Sequence, residues 1–383
     1  MSRLQILVRN AWQRSSNPLL ATTRRWYDGY LRRLFPFAIS RTATGQLTIA
    51  YGGLPDGLST ILPFLEGQRT ALAGPSVGRE SGRLRWRDLR QPLWHEAADL
   101  AVIGCSARRA RLLAADRALI LPLRLHQVID LASGRSGDGG GLRVSKKERQ
   151  QFARNRGRHG WTWERSERAP DFDFFYERMH LPTMRWRHGA QALTADKRTV
   201  YECMFRNGHL FFVVENGARI AGAVCQQHKR QRKLTLWLVG LIDGDERYHR
   251  AGALAAVYHF LLEWATAEGF AQVDLAASAP FLSKGTYQFK RKFHPRVQLP
   301  PNHARGKRLC LRINRDSPAV RDFLVANPLL ILDGGGLTAV YFHDESRCAR
   351  TELRWESPGI RRALHLDLDH FLQPGMAGLR PGH

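Results

Sequence analysis

The fold is decided within residues 208–293, where the chain reads GHLFFVVENGARIAGAVCQQHKRQRKLTLWLVGLIDGDERYHRAGALAAVYHFLLEWATAEGFAQVDLAASAPFLSKGTYQFKRKF. Residues 209–215 form an apolar run with the composition of a strand. Asn216 and Gly217 then predict a tight hairpin turn, because both central residues of such a turn need positive φ. Residues 218–227 and 234–242 predict two more strands of the same meander.

A long helix follows the meander, and we predict it at about residues 250–268. Its apolar residues recur at intervals of three and four and form one stripe: Leu254, Val257, Tyr258, Leu261, Leu262 and Ala265. Gly269 stands where a helix commonly ends. A fourth strand is predicted at residues 273–276. The stretch closes on a tail that alternates aromatic and basic residues, 284–293.

The charge balance points to an anionic partner. The chain has 383 residues, which predicts two or three domains, and 59 Lys and Arg against 34 Asp and Glu give a net charge of +25. Nucleic acid, an acidic membrane surface and a phosphorylated ligand are all compatible with that excess. A coding bias towards arginine explains the choice of Arg over Lys, but it does not explain the excess of bases over acids.

Several function classes lack their sequence signals. The five cysteines are scattered without a CxxC pair, and the histidines show no metal spacing, so we expect no metal site. Isolated thiols fit a reducing cytosol. We find no secretory signal, no apolar run long enough to span a membrane, and no Walker, GxGxxG or GxSxG motif. The expected location is therefore cytoplasmic.

Composition divides the chain into five segments. Residues 1–35 are a basic amphipathic segment, and residues 36–132 alternate strand-like and helix-like runs typical of an α/β domain. Residues 133–141 (SGRSGDGGG) read as a Gly/Ser linker. Residues 142–299 hold the stretch quoted above, and residues 300–383 form a C-terminal α/β extension.

The N-terminal segment leaves two interpretations open. Arginines and aromatic residues are interleaved in it with Leu4, Ile6, Leu7 and Val8. A basic amphipathic segment of this kind can lie on anionic lipid, which would place the protein on the inner face of the cytoplasmic membrane. Alternatively, the segment is a helix that packs on its own domain.

Two clusters of residues are candidates for binding the substrates. Arg247, His249, Arg250 and Gly252 precede or open the long helix, and a helix N-terminus with basic neighbours favours a phosphate group of a donor. Arg185, Arg187 and His188 follow a helix that Pro182 should kink or end, and they could contact a carboxylate or phosphate group of a substrate, which makes them the candidates for binding an acceptor. The alternatives are a purely structural helix and a solvated basic surface.

The tail provides the candidates for catalysis. Tyr287 could act as a general acid, and Lys290 could stabilise charge on a carbonyl or phosphate oxygen. The alternative is an edge strand that lysines protect from aggregation. The pattern alone favours the edge strand.

Residues 142–297 resemble the GNAT-like catalytic domain of the Fem-type transferases and their acetyltransferase relatives. The matching pieces stand in the family's order: SKKERQQFARNRGRHG, FFYERMH, GHLFFVVENGARIAGAVC, WLVGLIDGDERYHRAGALAAVYHFLLEWATAEGF and VDLAASAPFLSKGTYQFKRKF. The resemblance implies an α/β fold with a GNAT-like central mixed sheet flanked by helices. Residues 36–132 could be a second, degenerate copy of the domain, which would make the domains tandem.

The resemblance also implies a reaction. An acyl donor would lie where the sheet splays, held by backbone groups at the end of the strand 234–242, with its phosphates at the N-terminus of the following helix. Lys290 corresponds to the lysine of the family's Phe-Lys-Arg close and is carried over as a substrate contact. His249 and Leu254 depart from the usual GNAT phosphate loop, which puts ordinary acetyl-CoA binding in doubt.

Three functions remain open at this stage. The first is an N-acyltransferase that moves an acyl group from acyl-CoA or an acyl carrier protein to an amine, in cell-envelope or secondary-metabolite synthesis. The second is a Fem-like transferase that uses aminoacyl-tRNA. The third is a non-catalytic nucleic-acid-binding protein, supported by charge alone; DNA is not expected as a partner. No general base is identified, and Glu215, Asp243, Asp245 and Asp274 are candidates by location only.

Overall fold

The computed structural model describes residues 2–113, 117–131, 144–188 and 194–373. The predicted Gly/Ser linker, 133–141, lies outside these residues. Contacts divide the chain into two units. The first unit comprises Met1–Gln13, His126–Ala276 and Lys290–Arg296, and the second comprises Arg14–Leu125, Ala277–Phe289 and Val297–His383.

The strands are, in chain order, β1 (Leu34–Thr42), β2 (Ile49–Gly53), β3 (Ser76–Arg85), β4 (Leu100–Ser106), β5 (Ala118–Pro122), β6 (Leu125–Asp130), β7 (Thr162–Ser166), β8 (Gly208–Glu215), β9 (Ala218–His228), β10 (Lys233–Leu241), β11 (Gln272–Ser278), β12 (Arg296–Gln298), β13 (Lys307–Ile313), β14 (Leu329–Asp333), β15 (Gly336–His343) and β16 (Ile360–Asp367).

The α-helices are α1 (Arg3–Arg14), α2 (Pro18–Trp26), α3 (Pro55–Thr60), α4 (Leu62–Ala73), α5 (Trp86–Leu89), α6 (Ala107–Leu113), α7 (Lys146–His159), α8 (Ala169–Phe174), α9 (Leu181–His188), α10 (Lys197–Cys203), α11 (Glu246–Ala251), α12 (Ala253–Ala267), α13 (Gly285–Arg291), α14 (Pro318–Ala326) and α15 (Leu368–Phe371). Two π-helical turns accompany them, Tyr27–Leu31 and Phe175–His180.

The first unit is built on a mixed sheet of seven strands in the order β12-β6-β11-β10-β9-β8-β7. The meander from β8 to β10 is antiparallel, and β11 is parallel to β10. Asn216 and Gly217 take φ of 49° and 78°, as the predicted hairpin turn requires. The predicted fold class, a mixed α/β sheet with flanking helices, is confirmed.

The parallel strands β10 and β11 part early. Their register consists of three pairs, from Lys233↔Gln272 to Thr235↔Asp274. Just beyond, the pairing of β9 with β10 shifts between Leu236 and Leu238, which marks a β-bulge. A bulge bends its strand and increases the local twist. The sheet therefore opens after Thr235, and the "opening" below means the region where β10 and β11 diverge.

The predicted long helix is in fact two helices. Gly252 has a φ of 88° and separates α11 from α12. That backbone conformation is unfavourable for residues with a side chain, and it turns the chain between the two helices. The apolar stripe from Leu254 to Ala265 is buried as predicted, and Gly269 follows the helix end with a φ of 74°.

Pro182 does not end its helix, which was one of the two outcomes that we predicted for it. A π-helical turn precedes it, and the Leu181 N–H bonds the carbonyl of Tyr176, five residues back. The chain then continues as α9 with Pro182 as its second residue. The change in hydrogen-bond register at the π turn places the proline where the helix does not need its missing N–H.

The basic aromatic tail is helical, so the edge strand that its pattern favoured is wrong. Residues 285–291 form α13, followed by a turn in which the Phe293 N–H bonds the carbonyl of Lys290. At the N-terminus of the chain, α1 buries Ile6 among the apolar residues of the first unit, including Phe172 and Phe175. Leu4 and Val8 on the same helix are 71% and 60% exposed.

The second unit holds a six-stranded sheet, β3-β1-β2-β4-β13-β5, and a three-stranded sheet, β14-β15-β16. Strand β13 comes from the segment predicted as a C-terminal extension, yet it lies between β4 and β5 and is antiparallel to both. The units therefore cut across the sequence-based division, because this late strand completes a sheet begun by β1. Two mixed sheets fit the expectation of tandem domains.

Candidate active site

Side chains of the helical segment 175–188 contact the end of β10 that is farther from Thr235. His180 donates from Nδ1 to the Val239 carbonyl at 3.1 Å. Thr183 accepts from the Leu241 N–H at 2.7 Å and donates to its carbonyl at 3.3 Å. Residues two apart on a strand present their polar groups to the same edge. These side chains thus cover one edge of β10 at Val239 and Leu241, beyond residues 236–238.

Glycines let this helix approach the strand. A Cβ atom on Gly240 would lie 2.5 Å from the carbonyl carbon of Met179 and 2.7 Å from the nitrogen of His180. A Cβ atom on Gly244 would lie 2.8 Å from the carbonyl oxygen of Pro182. Since these neighbours are backbone atoms, a side chain at either position would push the helix away from β10.

A histidine and an aspartate stand where the opening begins. His126 on β6 places Nδ1 2.9 and 3.1 Å from the two carboxylate oxygens of Asp274 on β11. Burial acts to raise the pKa of Asp274, but the His126 hydrogen bond and the His126 and Lys233 charges hold it below its usual value. Sequence reasoning named Asp274 by location only and missed His126, whose one signal was a polar residue inside the strand-like run LRLHQVID.

Lys290 lies at the end of the same strand. Its ammonium group is 3.4 Å from the carbonyl oxygen of Ala276, two residues after Asp274, and the residue is 8% exposed. The predicted substrate-contacting lysine is therefore held beside the opening. Tyr287 is fully buried in the second unit, in an apolar cluster with Leu282 and Tyr341.

Residues predicted for the donor and for the acceptor meet in one cluster. The Arg187 guanidinium lies 3.4 Å from Nε2 of His249, and the Trp186 ring contacts His249 edge-on at 5.0 Å between centroids. Partial burial and the Arg187 charge lower the pKa of His249, so its Nε2 can accept from the guanidinium. Arg185 is exposed, and the side chain of His188 lies outside the described part of the structure.

The start of α12 is held by an asparagine from α7. Asn155 donates from Nδ2 to the Ala251 carbonyl at 2.7 Å, just before Gly252. No side chain caps the first turn of α12. The flanking Arg247 and Arg250 are exposed and lie near acidic residues, at 3.4 and 4.0 Å from Asp245 and Glu246. The helix N-terminus that we predicted for donor phosphates thus begins at Ala253.

Helix α7 presents a strongly basic surface. Ser145 caps its N-terminus by accepting from the Glu148 N–H at 3.4 Å. Its six exposed cations are Lys146, Lys147, Arg149, Arg154, Arg156 and Arg158. Among the described residues, Arg156 is the one cation of the six within 4 Å of a carboxylate, 3.8 Å from Glu263. The single acid of the helix, Glu148, is buried and lies 3.2 Å from Lys292.

A groove of about 830 Å³ runs beside this helix. Its lining includes Arg149, Phe152 and Arg156 of α7 together with Trp161 and His259. Phe152 and His259 stack face to face at 4.0 Å between centroids. The groove combines an aromatic floor with two of the helix's arginines, so its chemistry favours an anionic group attached to a flat or apolar body.

The described residues show neither a metal-binding cluster nor a membrane-spanning helix. Within the described ranges, no three His, Cys, Asp or Glu side chains come together as a metal site would require. Across that same part of the chain, none of the helices combines the length and apolarity needed to cross a membrane. The five cysteines are free, four of them buried and Cys348 exposed.

Comparison with known proteins identifies structural neighbours only. No family model and no curated protein matches this chain. Among solved structures, it is similar to L-PGS from Bacillus licheniformis (12% identity, 83% of this chain and 95% of that chain, TM-score 0.37). It is also similar to the C-terminal DUF2156 domain of a putative lysylphosphatidylglycerol synthetase from Agrobacterium fabrum (15%, 83% and 94%, TM-score 0.38).

FemX is a third neighbour, with 12% identity, coverage of 81% of this chain and 96% of that chain, and a TM-score of 0.39. At such identities and TM-scores, the three likenesses do not identify a donor or an acceptor for this chain.

Proposed function

We propose that the protein is an N-acyltransferase and that the opening of the first unit's sheet holds an activated acyl donor. One observation carries the proposal: β10 and β11 pair up to Thr235 and Asp274 and then diverge. Divergence uncovers strand edges inside a sheet, and uncovered N–H and C=O groups need partners. A donor with its own amide groups can supply them.

The chemistry asks little more than positioning and charge stabilisation. A thioester or an ester is already activated, so an amine held against its carbonyl reacts readily. The Lys290 ammonium group, 3.4 Å from Ala276 O, would stabilise negative charge that develops on the acyl oxygen. The uncapped start of α12, with Arg187 and His249 nearby, would bind the donor's phosphates.

A donor screen tests this proposal. Purified protein is incubated with acyl-CoA of several chain lengths and with acyl carrier protein, and the thermal midpoint and the transfer of acyl groups to an amine panel are measured. We expect at least one thioester to stabilise the protein and to be consumed. The absence of both effects with every thioester would exclude this donor class.

Aminoacyl-tRNA is the second candidate donor, and helix α7 is the observation that favours it. Five of its exposed cations have no carboxylate within 4 Å among the described residues. From Lys146 to Arg158 they extend over roughly 18 Å of helix. Such a row matches the spaced phosphates of a polynucleotide better than the few phosphates of a small donor.

Salt dependence separates the two donors. We expect wild-type protein to bind charged tRNA with an affinity that falls steeply with salt. The triple variant R149Q/R154Q/R158Q should flatten the slope of log K against log salt by roughly 2, since each lost phosphate contact removes about 0.7–0.9. The matched control is R83Q/R85Q on exposed strand β3 of the second unit. Equal slopes for all three proteins would contradict RNA binding through α7.

We also propose peripheral contact with an anionic membrane at the inner face of the cytoplasmic membrane. In the second unit, Leu19, Trp26 and Leu31 are 79%, 52% and 50% exposed, in a stretch that also holds Arg25 and Arg33. Exposed aromatic and aliphatic groups among cations favour an anionic lipid surface. Flotation with phosphatidylglycerol vesicles should exceed flotation with phosphatidylcholine vesicles, and L19S/W26S should remove the difference. Equal flotation with both lipids would contradict the contact.

A further inference from the structure

The His126–Asp274 pair fixes the orientation of an imidazole. Both carboxylate oxygens of Asp274 lie within 3.1 Å of Nδ1 of His126, and the Ala276 N–H donates to Oδ1 of Asp274 at 2.9 Å. An ionised carboxylate can only accept, so Nδ1 of the histidine carries a proton. In the neutral imidazole, the lone pair is then on Nε2.

That Nε2 atom remains available. In the described part of the chain, His126 makes no other hydrogen bond than the one to Asp274. The His126 side chain is 11% exposed, whereas that of Asp274 is 4% exposed. The carboxylate is thus the more enclosed member of the pair, and the imidazole is the more exposed one.

The His126–Asp274 pair also lies where β10 and β11 begin to diverge. Asp274 belongs to the last register pair before β10 and β11 diverge, opposite Thr235. Lys290 contacts the backbone of Ala276, two residues further along β11. A proton acceptor and a cation are therefore held at the same end of one strand, beside the opening.

Three of the four carboxylates that the sequence offered as candidates for the general base contact other groups. Glu215 bonds His159 at 2.8 Å, and Asp243 makes a two-pronged contact with Arg178 at 2.8 Å. Asp245 caps the N-terminus of α11 by accepting from a backbone N–H at 2.7 Å. Each of these groups already has a structural partner, which leaves Asp274 and the histidine that it orients.

We propose that His126 is the general base of the acyl transfer and that Asp274 is its positioning residue; this inference rests on the proposed function. The acceptor nitrogen forms a bond to the acyl carbon while one of its N–H protons passes to Nε2 of His126. The bond from the acyl carbon to the donor's sulfur or oxygen then breaks. The leaving group takes a proton, which the imidazolium can return, so the histidine ends neutral.

Nearby charges keep the carboxylate of the pair ionised. Asp274 is an anion at neutral pH because its pKa is held below the usual value. Lys233 on β10 and His228 on β9 are the other titratable groups that act on Asp274, and His228 bonds Thr235 at 3.1 Å. Burial and the Lys233 charge lower the pKa of His228. A base at this point loses its function when acid protonates it, so turnover should fall on the acidic side.

Four variants test the proposal with a donor that the wild-type protein uses. H126Q should lower kcat at least about 100-fold, in the range general bases contribute, and should abolish the acidic limb of the pH–rate profile. The KM for the donor should change less than about threefold. D274N should lower kcat less and leave a displaced acidic limb. The control H228Q should keep the limb. In H126G, added imidazole should restore turnover.

The failures are distinguishable. Normal kcat and an unchanged acidic limb in H126Q overturn the general base and leave the proposed function standing. No transfer by the wild-type protein with any donor overturns the proposed function, and the base with it. If H126Q does not fold, the tautomer of His126 in wild-type protein decides: nitrogen NMR should show Nδ1 protonated and Nε2 bare at pH 7.5, and the opposite tautomer overturns the proposal.

Discussion

The large sheet of each unit contains a parallel strand pair next to antiparallel strands, and these two pairs end differently. In the second unit, β2 and β4 stay paired over five residues, from Ile49↔Leu100 to Gly53↔Gly104. In the first unit, β10 and β11 pair over three residues and diverge. The same local arrangement thus forms a closed core in one unit and an opening in the other.

Hydrogen bonds of the backbone continue beyond the end of the parallel pair β2–β4. After Gly53 the chain turns back, and the Leu54 N–H donates to the Gly104 carbonyl at 2.9 Å. The buried hydroxyl of Tyr51 donates to the Leu54 carbonyl at 2.6 Å. In the first unit, the corresponding strand end carries Asp274, His126 and a lysine ammonium group instead. Polar side chains that replace backbone pairing at a strand end indicate where chemistry can occur.

The units also use positive charge differently. Arg69 of the second unit is completely buried and donates to the Ser40 carbonyl at 2.7 Å and to the Leu47 carbonyl at 3.2 Å. The cations of α7 in the first unit are exposed and, Arg156 apart, lie beyond 4 Å of any carboxylate in the described residues. A basic net charge therefore includes structural arginines, and exposure separates them from those available to a partner.

The largest expected effect comes from breaking the closed pair. Gly53 has a φ of 122°, and a Cβ atom there would lie 2.0 Å from the Gly104 oxygen. G53A should lower the free energy of unfolding by about 3 kcal/mol, because it combines backbone strain with overpacking against backbone. Urea titration measures the loss, with G78A, whose Cβ atom meets nothing within 4 Å, as control. Equal stability of the two variants would contradict a stabilising role for the close approach of Gly53 to Gly104.

Removing the cation beside the opening should act on turnover rather than on folding. K290M keeps most of the length of the side chain and deletes the charge, so kcat should fall by about 10–100-fold while the thermal midpoint changes by no more than a few degrees. K292M is the matched control, because Lys292 contacts Glu148 at 3.2 Å instead of the strand end. Comparable kcat values for K290M and K292M would remove Lys290 from the site.

A buried histidine makes the closed unit sensitive to pH. Burial, together with the Arg312 charge, lowers the pKa of His95 to about 4, against 6.5 when unfolded. Between these values the unfolded state binds a proton that the folded state does not, so stability is full above about pH 6.5 and falls as the pH drops towards 4. From pH 7 to 5 this histidine should cost on the order of 2 kcal/mol.

The variant H95Q should therefore lose that much less stability than wild-type protein between pH 7 and 5, measured by urea unfolding at both values. H370Q serves as control, since the side chain of His370 is 72% exposed. If H95Q and wild-type protein show the same pH dependence, His95 is not the group responsible.

The smallest expected effect concerns the turn before α12. Asn155 holds the Ala251 carbonyl, and N155A should weaken donor binding by about 1 kcal/mol, or roughly fivefold in KM, because the helix start loses one hydrogen bond. The value of kcat should be unchanged. Q150A, on the exposed part of α7, is the control, and a KM shift in Q150A equal to that in N155A would show that the effect is not specific to the turn.

Local sequence signals predicted individual turns and helices of the first unit. Turn chemistry at Asn216 and Gly217 located the hairpin, and apolar spacing located α12 with Gly269 at its end. The break at Gly252 escaped the pattern, because a glycine beside a helix does not reveal whether its φ is positive. Local signals also failed at the tail 284–293, whose pattern favoured an edge strand where helix α13 lies.

Features that join distant residues could not be predicted in this way. His126 and Asp274 are 148 positions apart and meet only because β6 and β11 are neighbours in the sheet. Strand β13 completes a sheet begun about 270 residues earlier by β1. Tyr287 illustrates the reverse: its place in the basic aromatic tail made it a candidate general acid, and its side chain is fully buried among apolar residues.

Hydrogen–deuterium exchange with and without the donor tests the central claim most directly, since it reports both parallel pairs in one experiment. If the opening holds the donor, amides of residues 236–238 and of the first turn of α12 should become protected by at least about tenfold. Amides of β2 and β4 in the second unit should exchange unchanged. Protection confined to β2 and β4, or no protection at the opening while the donor is bound, would contradict the account.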